Sequence, residues 1–336
     1  MARHGIVRLA VSTVNFDSRA QRSSVRGTDN VGNAASITTT VQVTSVPVIT
    51  SYTGTGISQP YNITSGPDGA LWFTNHANSS IGRIDPTTHA VANYTDASIS
   101  SPEGITSGPD GAVWFGNVNI WSIGRIDPSS GTVTHYNDAS LSAPVGITSG
   151  PDGALWFTNQ NTGSIGRINP VTHAFSNYAD PSISAATGIT TGSDGALWFT
   201  NLGNNSIGRI TTSGTVTNYT GTGISTPLAI AAGSDGALWF TNNGNSSIGR
   251  ITTSGTVTNY TDPSIVAPRG ITAGPDGALW FTNAGGNSIG RITTSGTVTS
   301  YTDSSISAPN DITSGPDGAL WFTNAGNNSI GRITTP

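Results

Sequence analysis

Six residues stand apart in this 336-residue sequence: Tyr61, His76, Glu103, Ile120, Trp121 and Arg269. Glu103 is the only glutamate, and His76 is one of five scattered histidines. A carboxylate or imidazole of suitable pKa is what proton transfer needs. Arg269 can pair with an anionic group, and Tyr61 and Trp121 offer aromatic faces to a sugar, a peptide or another small molecule. Nothing in the chain forms a nucleophile–base pair, a phosphate-binding loop or a metal-spaced histidine cluster. Cysteine is absent, which removes thiolate chemistry, disulfides and Cys-bound metal. The thirteen basic residues are all Arg and the net charge is −5, so no basic surface speaks for nucleic acid. No apolar run approaches the ~18 residues a membrane span requires.

These residues are exceptions to a repeat. "GPDGALWFTN" fills Gly66–Asn75 and returns unchanged at Gly150–Asn159, Gly274–Asn283 and Gly315–Asn324, with three near copies between. The tryptophans Trp72, Trp114, Trp156, Trp198, Trp239, Trp280 and Trp321 step by 42 residues three times and then by 41 three times. "SIGRI" occurs seven times and sets Arg83, Arg125, Arg167, Arg209, Arg250, Arg291 and Arg332 on the same spacing. A fixed period near 40 with Trp and Gly markers predicts propeller blades. Each unit reads as four short strands: "GITSG", then "ALWFTN" after an Asp-Gly hairpin turn, then "SIGRI", then an alternating "TVTNYT". No segment carries a helical apolar period.

The expected fold is all-β: a seven-bladed β-propeller of four-stranded blades over residues 46–336. The last repeat stops at "SIGRITTP", one strand short. The missing strand stands before the first repeat, in "PVITSYTGTGIS", Pro47–Ser58, whose "YTGTGIS" recurs at Tyr219–Ser225 behind a fourth strand. The N-terminal strand should complete the last blade and close the ring, leaving no open sheet edge. Residues 1–45 lie outside the repeat. "SVRGTDNVGNAASITTTVQV", Ser24–Val43, resembles the last two strands of bacterial immunoglobulin-like modules. That resemblance implies a partly disordered remnant of such a module, hence a longer secreted or cell-surface bacterial protein. The N-terminus itself, "MARHGIVRLAVSTV", is interrupted by Arg8 and does not read as a signal peptide.

The run "GITSGPDGALWFTN", followed by "NSIGRI" and "VTNYT", is similar to the streptogramin (virginiamycin B) lyase family over Val46–Pro336. The resemblance implies a seven-bladed propeller. It also implies an enzyme that opens streptogramin B rings by elimination with Mg²⁺, a His base just before the "GI" of an inner strand and a Glu ending a "WFTE" strand. The positions matching that His hold Tyr61, Glu103, Val145, Thr187, Leu228, Arg269 and Asn310. Those matching the Glu hold Asn75, Asn117, Asn159, Asn201, Asn242, Asn283 and Asn324. Neutral amides are poor donors for a hard cation, and elimination needs a base. The fold should carry over and the activity should not. No catalytic residue, metal or cofactor is assigned, Mg²⁺ belonging only to the alternative of a streptogramin-type C–O lyase.

Features present in all seven blades serve what is done seven times, the packing of one blade on the next. The Trp and Phe of "WF" are expected in the core, the Tyr series on the outer strands, the Asp of each "PDG" or "SDG" in a turn, and the seven Asn in a hydrogen-bonded ring at one rim, with loop capping as the alternative. The Arg of "SIGRI" has those Asp residues, backbone carbonyls or solvent to face. What exceeds the repeat is Tyr61, Glu103 and Arg269 in loops entering first strands, and His76, Ile120 and Trp121 in loops after second strands. Both kinds of loop share one face. The reading is a non-catalytic, monomeric propeller that binds a small molecule, glycan or peptide at the channel mouth. The alternatives are the lyase and a purely structural protein of amplified or consensus repeats.

Overall fold

The computed structural model describes residues 46–336 and two strands before them, β1 (Ser23–Thr28) and β2 (Ala34–Thr39), which pair antiparallel within a unit of their own. The remainder of the expected immunoglobulin-like remnant lies outside the described residues. β3 (Ile49–Tyr52) opens the propeller. Blade 1 is β4 (Pro60–Ser65), β5 (Leu71–Asn75), β6 (Ser80–Ile84) and β7 (Val91–Tyr94), paired in that order. Blades 2 to 6 repeat the pattern. Blade 7 holds β28 (Pro309–Ser314), β29 (Leu320–Asn324) and β30 (Ser329–Ile333), and its fourth strand is β3. β3 runs antiparallel to β30, Ile49 opposite Ile333 and Tyr52 opposite Ile330. The ring is closed by the N-terminal strand, as the phase of the repeat requires.

The second strand of every blade is buried along its whole length. Successive side chains leave opposite faces of a strand, so Trp72 and Phe73 serve two different interfaces. Phe73 lies across Gly82 of the third strand, where a Cβ would run into its ring, which is why each "SIGRI" carries glycine. Trp72 and Ile81 pack on Ile99, Ile105, Val113, Phe115 and Ile126 of blade 2. The same cluster forms where blade 7 meets blade 1, with Trp321 and Ile330 against Ile57, Ile63, Leu71, Phe73 and Ile84. Each buried indole is worth roughly 4–6 kcal/mol by area, as an upper bound.

The "PDG" aspartate does more than turn the chain. Asp152 accepts the indole N–H of Trp156 at 2.9 Å and the Nε–H of Arg167 at 2.7 Å. The guanidinium lies 5.9 Å from the Trp156 ring, and Tyr178 stacks on that indole at 5.4 Å. All seven "SIGRI" arginines pair in this way. Burial works against the charge of Asp152, but the hydrogen bonds from Trp156 and Arg167 outweigh it and hold the carboxyl below the usual range. Asp152→Ala should therefore cost about 1–3 kcal/mol, because it leaves an indole N–H and a guanidinium without their acceptor. Urea denaturation at neutral pH measures this, and a midpoint equal to wild type would reduce the triad to an ornament of the surface.

Candidate functional site

The start of each first strand faces the channel, so one residue per blade rims one end of it. Tyr61, Glu103, Val145, Thr187, Leu228, Arg269 and Asn310 line a cavity of about 390 Å³ there. These positions are equivalent by repeat but not alike, and their differences are sorted. Blades 6, 7, 1 and 2 contribute Arg269, Asn310, Asp311, Tyr61, Asn62 and Glu103, an unbroken polar arc. Blades 3 to 5 contribute Val145, Leu202, Leu228 and Ala229 with Thr187 and Gln160, a mainly apolar arc.

The polar arc is wired across blades. Arg269 donates from Nη1 to Asn310 Oδ1 at 2.7 Å, and Asn310 Nδ2 donates to the Tyr61 carbonyl at 3.0 Å. Asp311 Oδ2 accepts from Asn62 Nδ2 at 2.9 Å and from the Ile63 N–H at 3.1 Å. His76 Nε2 stands 3.9 Å from Glu103 Oε1, and its ring lies 5.8 Å from that of Tyr61. Burial pushes the Glu103 carboxyl up to about 7. Burial likewise lifts Asp311 to about 6, against the pull of the Ile63 and Ile312 N–H groups and the Asn62 amide. The Tyr61 hydroxyl is raised by burial and by the charge of Glu103, while Arg269 draws it back. The mouth thus presents two carboxyls that take up protons near neutrality, one guanidinium and a phenol, facing an aliphatic wall.

Of the six residues singled out in the sequence, Tyr61, Glu103 and Arg269 line the cavity, and His76 stands beside Tyr61 and Glu103 without lining it. Ile120 and Trp121 do not line the cavity. They project from the loop between the second and third strands of blade 2, 45% and 50% exposed.

The expected asparagine ring is not formed. Asn75, Asn117, Asn159, Asn201, Asn242, Asn283 and Asn324 are fully buried, and each bonds within its own blade. Asn75 Oδ1 accepts the Ser58 N–H at 3.0 Å and its Nδ2 donates to Ser80 Oγ at 3.1 Å. Asn201 makes the same pair of bonds with Ser184 and Ser206. A carboxamide carries both a donor and an acceptor, so it can cap the entry loop and hold the third strand at once. This is the loop-capping role rather than a rim.

Asn62, Ala229 and Asp311 escape a reading that stops at the residue before each "GI". In blades 1, 5 and 7 the glycine itself is replaced. Subtracting the repeat one position further along would have found a second carboxylate. The donor set does not fit a divalent cation: among the described residues no three His, Asp or Glu side chains converge, and the Oδ1 atoms of the seven buried asparagines are taken by backbone N–H groups.

A model of the virginiamycin B lyase family matches residues 48–263 and 183–336. Among solved structures, a streptogramin B lyase is 35% identical, with a TM-score of 0.80 over 86% of this chain and 98% of that one. A catalytically inactive virginiamycin B lyase from Staphylococcus aureus, with quinupristin, is 36% identical, with a TM-score of 0.80 over 87% of this chain and all of that one, 100%. The extracellular domain of a hybrid two-component system from B. thetaiotaomicron shares the fold alone, at 15% identity and a TM-score of 0.67 over 83% of this chain and 40% of that one. No match is found among curated proteins.

Proposed function

The chain belongs to the virginiamycin B lyase family, and we propose that it holds a small amphipathic ligand at the channel mouth without opening it. One observation carries this reading. The positions at which the family resemblance places the base and the metal-linked Glu are filled by other groups, while the mouth keeps a polar arc facing an apolar one. A cavity of about 390 Å³ lies within the range of small-molecule sites. The ligand would set an aliphatic or aromatic surface against Val145, Leu202 and Leu228, and hydrogen-bonding groups against Arg269, Asn310 and Glu103. Quinupristin, found with the inactive S. aureus enzyme, is the first ligand to test. The low proportion of charged residues and the extracellular neighbour are compatible with a secreted or surface protein.

A second reading has one observation in its favour: Glu103, titrating near neutrality beside His76, has the pKa of a working general base. Titration calorimetry with quinupristin, with and without Mg²⁺, is read together with mass spectrometry of the recovered peptide. The expected result is binding of intact quinupristin, weakened about tenfold by Arg269→Ala, the size of one lost charge-assisted hydrogen bond. Ring opening that disappears in Glu103→Gln or His76→Ala would replace the binding protein by a lyase. Neither binding nor turnover would leave a propeller that serves as a scaffold.

A further inference from the structure

We propose that Ile120 and Trp121 form a second site, separate from the channel mouth: a stacking platform for a neutral sugar ring. The loop they occupy has a structural duty in other blades. At the position of Ile120, Asn78 donates to the Gly56 carbonyl at 3.1 Å and accepts from Ser80 Oγ at 2.7 Å, and Asn204 repeats both bonds with Ser182 and Ser206. At the position of Trp121, Asn205 and Asn328 each accept the N–H of the residue that leads into the next blade, both at 2.7 Å. Neither an isoleucine nor a tryptophan can make these bonds. Blade 2 gives up two caps that hold its loop and the loop of its neighbour.

The backbone adds to the cost. Trp121 sits at φ +48°, in the left-handed region that Asn and Gly tolerate and a bulky aromatic does not favour. Burial gives little in return, because the indole is 50% exposed while the other seven tryptophans are fully buried. An apolar pair that forgoes two bonds, strains the backbone and remains in solvent serves something outside the chain. Its surroundings define the chemistry. From Gly116 to Gly124, and from Ala139 to Gly150 in the facing entry loop of blade 3, the sequence has no ionisable side chain. Amides and hydroxyls stand there instead, Asn119 bonding Ser101 Oγ at 2.6 Å among them. The carboxylates that flank these loops, Asp96 in the entry loop of blade 2 and Asp138 in that of blade 3, each accept the N–H and hydroxyl of the serine two residues on, and neither stretch holds a cationic side chain to receive an anion. A pyranose meets an indole for its C–H face and neutral donors and acceptors for its hydroxyls.

Trp121 is the one solvent-accessible indole among eight, so acrylamide quenching of intrinsic fluorescence reports on it in the intact protein. Cellohexaose, xylohexaose and chitohexaose serve as probes, with an uncharged Leu- and Phe-containing hexapeptide beside them. At least one hexasaccharide should shield the quenchable component at about 1 mM or below, the weak end of specific binding. Glu103→Gln should retain that shielding, which separates this site from the mouth and lets either stand if the other fails. Trp121→Asn, which restores the residue of other blades, should lose the quenchable component and weaken sugar binding at least about tenfold, as for an aromatic anchor. It should also melt roughly 2–5 °C higher, because strain is removed and a cap returns. Shielding by the peptide alone, shielding by none of the probes, or a Trp121→Asn variant no more stable than wild type would each overturn the proposal.

Discussion

Replacing Glu103 by glutamine should stabilise the ring at pH 8 and leave it unchanged near pH 4.5. The Glu103 carboxyl titrates at about 7 in the folded protein because burial penalises its charge, against 4.5 when free. The folded state therefore holds this proton more tightly than the unfolded chain. Below about 4.5 both states carry it and nothing is lost. As pH rises toward 7 the unfolded chain releases the proton first, and stability falls. Above 7 the penalty is complete and constant. Each pH unit across that gap is worth about 1.4 kcal/mol, so the ceiling is about 3 kcal/mol. Asp311, lifted from 3.8 to about 6 by burial, adds a term of the same sign in a lower window. The seven Asp–Arg pairs act in the opposite sense. Their carboxyls are held low, so their contribution is present above about 4 and is lost in stronger acid. Wild type should accordingly melt highest between roughly pH 4 and 5, below the range of about pH 5 to 8 in which most proteins are most stable. Glu103→Gln should flatten the fall toward pH 8, gaining about 1–3 kcal/mol there by chemical denaturation. Identical pH profiles for the two proteins would mean that Glu103 is solvated and that the mouth is wetter than its lining implies. The same result bears on function, since a carboxylate that costs stability in the ligand-free ring is one that a bound hydrogen-bond donor can relieve.

The repeat was readable because packing is what a propeller does seven times. Trp72, Phe73, Gly82 and Arg83 are each explained by a neighbour in the same or the next blade, and the period alone placed them. The site was half readable. Tyr61, Glu103 and Arg269 were visible as exceptions at one position, and blade order brought them to one mouth. Asp311 and Asn62 were not seen, because a glycine replaced by a polar residue changes no Trp or Tyr marker. Trp121 was visible as an exception in a loop after a second strand, and it does not line the cavity, because a loop position fixes the end of the strand and not which side chains border the channel. For the asparagines the sequence left a rim and a loop cap both open, because repetition cannot separate the two. That distinction depends on whether the entry loop folds over the strand end, which is a tertiary contact.

Removing residues 1–53 should cost far more than removing residues 1–44. The longer cut takes β3 from blade 7 and leaves β30 as an open edge. It removes the ladder to Ile330–Ile333, the stack of Tyr52 on Trp321 at 5.4 Å, the Ser51–Ser329 hydroxyl bond at 2.8 Å and the packing of Ile49 on the core cluster around Trp280. Two partly buried apolar side chains contribute about 1.5–3 kcal/mol each at most, and the ladder bonds about 0.5–1.5 each. Their sum is on the order of 5 kcal/mol, a large share of the 5–15 kcal/mol that typically holds a domain together. An edge carrying "SIGRI", with Ile330 and Ile333 no longer covered, is also a template for pairing with another chain, so the truncated protein should aggregate. The shorter cut takes β1 and β2 and no strand of any blade, and should leave the melting temperature of the ring unchanged. Grafting Pro47–Thr53 behind Pro336 through a "TSG" turn like that of Thr212–Gly214 puts the strand back by the route blades 4 to 6 use, and should restore the melting temperature. Equal melting of the two truncations, or a graft that restores nothing, would mean that β3 decorates a ring closed by blade contacts alone.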